Sequence, residues 1–154
     1  MNNITIRPAT LEDLPILYEF EQGIIQAERP FDPTLKSGHI NYYGLKALTE
    51  SDQAEVLVAE VAGEVVASGY AHIKDGKDFQ SHDQFAYLGF MFVKPDHRGQ
   101  GIITQILDEL KSWSQSRGIN EIRLEVYDDN EPAVRAYEKA GFKKHLVEMR
   151  MSIN

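Results

Sequence analysis

The feature that most constrains this chain is a nine-residue apolar run, Phe85 to Val93 (FAYLGFMFV), which leads through Lys94-Pro95-Asp96-His97 into the turn Arg98-Gly99-Gln100-Gly101. A strand that is apolar on both faces must be covered on both faces, so the run predicts a central strand of a sheet layered between helices. Beyond the turn, Ile102, Ile106, Leu110 and Trp113, with Ile103 and Leu107 beside them, recur at helical spacing and predict a helix that ends near Arg117-Gly118. The interior Gly89 marks a bulge or a close backbone approach. Any fold for this chain has to be built outward from that strand, turn and helix.

The remaining elements are read from periodicity and punctuation. Ile4 and Ile6 form a short strand that Pro8 ends, and Thr10-Leu11-Glu12-Asp13 is a capping box for a helix running to about Ala27. Two prolines, Pro30 and Pro33, break it, and a weaker helical pattern follows from Leu35 to about Glu50, which leaves open either a second helix or a mobile loop. Ala54 to Ala62 and Val65 to Ile73 are expected as antiparallel strands about a Gly63-Glu64 turn, and Lys74 to Asp83 as a polar loop. Ile119 to Tyr127 predicts a strand with Ile122, Leu124 and Val126 on one face. Asn130 caps a last helix with Pro132 in its first turn, Gly141 closes it, and Phe142 to Ile153 is expected as a final strand. The order β-α-α-β-β-β-α-β-α-β is that of a mixed sheet with helices on both faces, in a single domain spanning 1–154.

Composition restricts what such a domain does. There are no cysteines, so disulfides, thiolate metal sites and cysteine nucleophiles are excluded, and the five histidines lack ligand spacing; no metal is expected. A net charge of −8 opposes binding to a phosphate backbone, so nucleic acid is not expected as a partner. The opening MNNITIRPAT does not read as a signal peptide, and no stretch approaches the roughly 18 apolar residues of a membrane span. A cytoplasmic protein with no membrane partner is the expectation.

A glycine-rich turn entering a helix presents free backbone N–H groups at the positive end of the helix dipole, which suits an anion. Gly99 and Gly101 let the loop curl, Arg98 adds a positive charge and Thr104 a hydroxyl. A nucleotide loop of the GK[ST] type is absent, since Ile102 follows Gly101, and a dinucleotide fingerprint lacks its third glycine. Taken alone, the turn is equally a strand-to-helix connector that needs glycine for its dihedrals.

Three segments in register resemble the GNAT superfamily of N-acetyltransferases. Val93, Pro95, Arg98, Gly99, Gln100, Gly101 and Ile102 resemble its V-x-P-x-x-R-G-x-G-[IL] signature; Asn130 to Phe142 (NEPAVRAYEKAGF) and the opening ITIRPATLEDLPIL are similar to its later and initial motifs. The resemblance implies an α/β fold of GNAT type, with a central mixed, largely antiparallel sheet. It also implies acetyl-coenzyme A as co-substrate, and direct attack by a primary amine of a small molecule or peptide in a ternary complex. By the same resemblance, backbone groups of Met91, Phe92 and Val93 bond the pantetheine arm. Amides of Arg98, Gly99, Gln100, Gly101, Ile102, Ile103 and Thr104 hold the pyrophosphate, Asn130 contacts the pantetheine or holds the strands apart, and Tyr137 protonates the departing thiolate. A phenol with an ordinary pKa near 10 suits that role. Read without the resemblance, Asn130 is an N-cap and Tyr137 a core aromatic.

Two departures stand out. Ile103 occupies a position usually given to glycine or alanine, and Gly89 and Phe90 stand where many members carry the carboxylate that deprotonates the amine. Glu125 is the expected replacement base, with Glu28 and His72 as the other candidates. Acceptor choice is assigned to the first two helices and the Lys74 to Gln84 loop, with Phe31, Tyr42 and Tyr43 available to line a pocket. The missing strand carboxylate also admits a coenzyme A-binding sensor or interaction module, and a homodimer is left open.

Overall fold

The computed structural model describes residues 3–154. Five strands form one sheet in the order β1 (Ile4–Pro8), β2 (Ala54–Val61), β3 (Glu64–Asp75), β4 (Gln84–Val93), β5 (Ile122–Leu124). The first four pair antiparallel and β5 joins β4 in parallel, so the sheet is mixed and largely antiparallel as expected. Helix α3 (Ile102–Ser116) covers one face, and α1 (Leu14–Glu28) with α2 (Leu45–Glu50) covers the other. Helix α4 (Glu131–Lys139) follows β5.

Alternation along the strands sorts the two cores. On β2, Val56 and Val58 face α1, while Leu57, Ala59 and Val61 face α3. The stripe Ile102, Ile106 and Leu110 of α3 packs against Leu57, Ala59, Ala67 and Leu88, and Leu17, Phe20 and Ile24 of α1 pack against Val58, Tyr70 and Phe90. Before α1 the capping box forms, with the Thr10 N–H donating to Asp13 at 2.8 Å. Arg7 clamps that end of the sheet by reaching both Asp13 (2.8 Å) and Glu60 (2.7 Å).

Four boundaries differ from the sequence expectations. The hairpin turn is Ala62-Gly63 rather than Gly63-Glu64: both residues take positive φ, the twist that two-residue hairpins need, and Glu64 already pairs with Val61. Of the weak helical pattern from Leu35, only Leu45–Glu50 forms a helix. The first half of the pattern is a loop whose polar backbone is bound by side chains of α1 and the residue after it: Arg29 donates to the Lys36 and Gly38 carbonyls, Gln22 to Ile40, and Glu21 accepts from the amides of Tyr42 and Tyr43. β5 is short because it stays beside β4 only from Ile122 to Leu124. Finally, Phe142 to Ile153 keeps the alternating pattern of a strand but pairs with nothing among the described residues, and a strand without a partner edge is not one.

Candidate active site

Three local features meet at the C-terminal end of β4. The first is the turn. Gly99 and Gly101 have φ of 79° and 78°, the left-handed region, and an added Cβ at either would meet no protein atom within 4 Å. Conformation rather than crowding demands glycine there. The N–H groups of residues 99–104 find no backbone acceptor among the described residues, and Gln105 is the first to bond back, to Gly101 at 3.2 Å. Six unpaired amides at the start of a 15-residue helix make an anion site by geometry and by dipole. The residues present therefore fit a pyrophosphate. Arg98 does not project freely; its Nε donates to the Val93 carbonyl at 3.0 Å and so ties the turn to the strand end. Ile103 is accommodated against the α3 core, and the helix begins at Ile102.

The second feature is a bulge in β4. Tyr70 of β3 pairs with Gly89, but Ser68, two residues earlier, pairs with Phe92, so β4 carries one extra residue. The insertion reverses which face each residue takes. Leu88 points to the α3 core and Phe90, two residues on, to the α1 core. Phe90 holds φ at 60°, and the wholly buried Ser68 hydroxyl donates to its carbonyl at 2.9 Å, fixing the distortion. A Cβ on Gly89 would lie 2.8 Å from the Tyr70 hydroxyl, the close approach its position predicted. β5 leaves β4 at Leu88, so the edge of β4 from Gly89 to Val93, including Met91 and Phe92, has no strand on that side. Sequence reasoning missed Ser68; a serine within an otherwise apolar strand was its one signal.

The third feature is a cluster of tyrosines and acids. Tyr43 packs edge-on against Tyr70 and Phe90 at ring distances of 5.9 and 5.1 Å and lies 4.3 Å from Tyr42. The Tyr42 hydroxyl donates to Glu28, Tyr87 to Glu125 at 2.9 Å, and Tyr127 to Asp32. Burial raises the Glu28 carboxyl above its usual range, the Tyr42 hydrogen bond partly offsets this, and the Asp32 charge adds to it. Tyr137, packed edge-on to Phe142 at 5.9 Å, is also pushed up, first by burial and then by the charge of Glu28, which places acid and phenol within electrostatic reach. Burial and then the Glu125 charge raise Tyr70 to about 12.

Of the three bases named from sequence, Glu28 and Glu125 belong to this cluster. His72 sits across from Tyr87 on β3, where burial and then the Lys74 charge lower its pKa, and no hydrogen bond ties it to the others. Asn130 caps α4, accepting from the Ala133 N–H at 3.4 Å. Glu21 was not legible as a site residue. It lies within the apolar stripe of α1, fully buried, where its carboxylate receives the Tyr42 and Tyr43 amides at 3.0 and 2.7 Å and so sets the position of both rings.

A mixed sheet that parts beside a glycine turn of free amides sets an anion site next to an open strand edge. Residues 18–142 match the acetyltransferase (GNAT) family, and the chain belongs to it. The family's donor is acetyl-coenzyme A. An acetyltransferase of Sodalis glossinidius (strain morsitans) is 40% identical over 87 residues, which are 56% of this chain and 56% of the relative. The chain thus spans a little over half the length of that curated relative. In structure it is similar to a mutant protein of Bacillus halodurans (TM-score 0.85, 20% identity, 97% of this chain and 99% of that one). It is also similar to a predicted acetyltransferase of Clostridium acetobutylicum crystallised with acetyl-coenzyme A (TM-score 0.72, 21% identity, 97% and 96%). At such identities the likeness is one of fold. Among the described residues no helix is long and apolar enough to cross a membrane.

Proposed function

We propose that this protein is an N-acetyltransferase that moves the acetyl group of acetyl-coenzyme A to a primary amine of a small molecule or peptide, by direct attack in a ternary complex. The observation that carries this reading is the convergence of the free amides at 99–104, the unpaired edge of β4 and the Glu28–Tyr137 neighbourhood at one opening of the sheet. Bound there, the thioester supplies an acyl carbon open to an amine. The turn takes the pyrophosphate, and main-chain N–H groups of Met91 to Val93 polarise the carbonyl. Tyr137, held protonated by burial, gives its proton to the departing sulfur.

An ammonium must lose a proton before it attacks, and Glu28 is the better fitted acceptor for it. A carboxylate whose pKa is raised by burial is a stronger base than an ordinary one, and Glu28 shares the electrostatic field of Tyr137. Glu125 is exposed and already accepts from Tyr87, so it serves to hold the cation. Glu28, Asp32 and Glu125 among tyrosine rings favour an acceptor that arrives positively charged, through charge and through cation–π contact.

The test is thiol release from acetyl-coenzyme A over a panel of polyamines, aminoglycosides, amino acids and peptides. The expected result is amine-dependent release that drops about 100-fold or more in Tyr137→Phe, the lower range for loss of a general acid, with cofactor affinity unchanged. Its pH dependence should rise through the elevated Glu28 pKa and flatten in Glu28→Gln. Release no faster than background with every amine would instead identify a coenzyme A-binding module.

A further inference from the structure

Two aromatic rings stand on the open stretch of β4, Phe90 and Phe92, and both belong to the α1 face of the sheet. Phe90 is buried, whereas Phe92 is half-buried. Met91, between them, packs on the α3 side. Phe92 pairs with Ser68 of β3 just past the bulge, and its ring lies 4.7 Å from the ring of the buried Phe20. Three residues further along α1, on the same side of the helix, is Gly23. A Cβ at Gly23 would stand 2.6 Å from Cε1 and 3.0 Å from Cζ of Phe92, closer than side-chain contacts come. Glycine in the interior of a helix weakens it, so the need for this notch explains why α1 carries no side chain there. With Phe20 against it and the Gly23 backbone at its edge, the Phe92 ring cannot retreat toward α1.

The position of that ring bears on the donor, an inference that rests on the acetyltransferase reading. In that reading the thioester oxygen takes main-chain N–H groups of β4, and the sulfur departs toward Tyr137, which packs on the α3 side of the sheet. An acyl carbon is trigonal, so with oxygen at the strand edge and sulfur on the Tyr137 side its third substituent, the acyl chain, is turned toward the α1 face. Phe92 is the partly uncovered apolar side chain of the open β4 stretch on that face. We propose that Phe92 is the stop that ends the acyl pocket and limits the donor to a two-carbon acyl group, and that Gly23 sets the depth of the pocket by seating the ring. A longer chain has to displace a ring that α1 already holds from behind, and close-packed side chains do not yield without cost.

One methylene too many in an apolar pocket costs about 10–200-fold. Isothermal titration of the full chain with free, acetyl-, propionyl- and butyryl-coenzyme A tests the stop without requiring turnover. Free coenzyme A carries no acyl chain, so its Kd is the reference within each variant and separates a change in the pocket from a general weakening. Relative to that reference, propionyl-coenzyme A should bind the natural chain about tenfold or more weaker than acetyl-coenzyme A, and butyryl-coenzyme A weaker again. Phe92→Ala should bring the three acyl donors to within about threefold of one another, below the range for a single misfit methylene. Phe92→Leu keeps more of the packing on Phe20 and should move the same way. Gly23→Ala pushes the ring off the helix and should weaken acetyl-coenzyme A against free coenzyme A; Gly23→Ala/Phe92→Leu should restore it. A natural chain that binds butyryl- as well as acetyl-coenzyme A overturns the proposal, and so does a folded Phe92→Leu or Phe92→Ala protein that ranks the donors as the natural chain does. Failure of the acetyltransferase reading is distinguishable: thiol release is then absent with every amine, while the titrations still rank the donors. A chain that binds none of the four overturns both.

Discussion

Glu21→Ala isolates the part of the proposed acceptor site that one buried carboxylate holds in place. The carboxylate is wholly buried and receives two backbone N–H groups, from Tyr42 and Tyr43. Hydrogen bonds to a carboxylate contribute about 1.5–3 kcal/mol each, so removing the acceptor costs roughly 3–6 kcal/mol in all. Against this, Oε1 of Glu21 is buried without a partner, and deleting that oxygen relieves a cost of about 1–3 kcal/mol. A net loss of about 3 kcal/mol follows. With a urea m-value near 2 kcal/mol/M, ordinary for a domain of this size, the unfolding midpoint should fall by about 1.5 M with m unchanged. The functional consequence is specific. Tyr43 packs on Phe90 and Tyr70, and Tyr42 bonds Glu28, so releasing the loop should raise KM for the amine several-fold while the Kd for coenzyme A stays put. A midpoint shift below about 0.3 M, or a coenzyme A Kd that rises as much as the amine KM, would refute the reasoning.

Gly101→Ala forces a Cβ into the left-handed region at no steric gain or loss, so stability should drop by about 1–2 kcal/mol and isothermal titration should show weaker coenzyme A binding. Gly89→Ala sets a methyl 2.8 Å from the hydroxyl of Tyr70; overpacking of about 1–3 kcal/mol is expected in thermal melts, with Tyr70→Phe in the same chain restoring part of it by removing the contact. Asp13 has its pKa depressed, first by the Arg7 hydrogen bonds, so its contribution is present above the unfolded value of 3.8 and is lost as pH falls through the lower folded value. Asp13→Asn should therefore cost about 2 kcal/mol at neutral pH, and the gap in denaturation midpoint between natural chain and variant should close as pH is lowered below 3.8.

What the sequence by itself determined were the features that depend on neighbours in the chain. The alternation of β2 and β3, the stripe of α3, the capping box at Thr10, the Asn130 cap and the glycines of the turn all follow from spacing of three or four residues or from a single φ, and all are present. Three dispersed motifs likewise marked the family, because main-chain binding of a phosphate leaves its trace in glycines rather than in side chains. Boundaries set by distant contacts were out of reach. The Leu35 to Gly44 segment has a weak helical pattern, yet its carbonyls and amides are satisfied by Arg29, Gln22 and Glu21, and only the fold brings those side chains to it. The bulge at Gly89 was visible as a glycine, but its effect, turning Phe90 toward α1 while Leu88 faces α3, depends on how β3 pairs opposite. The electrostatic influence of Glu28 on Tyr137 spans more than a hundred residues and exists only because the fold brings the end of α1 within reach of α4. The final strand is the sharpest division between the two levels. Its periodicity is written in Val147, Met149, Met151 and Ile153, but a strand exists only against an edge, and among the described residues the fold brings none to it.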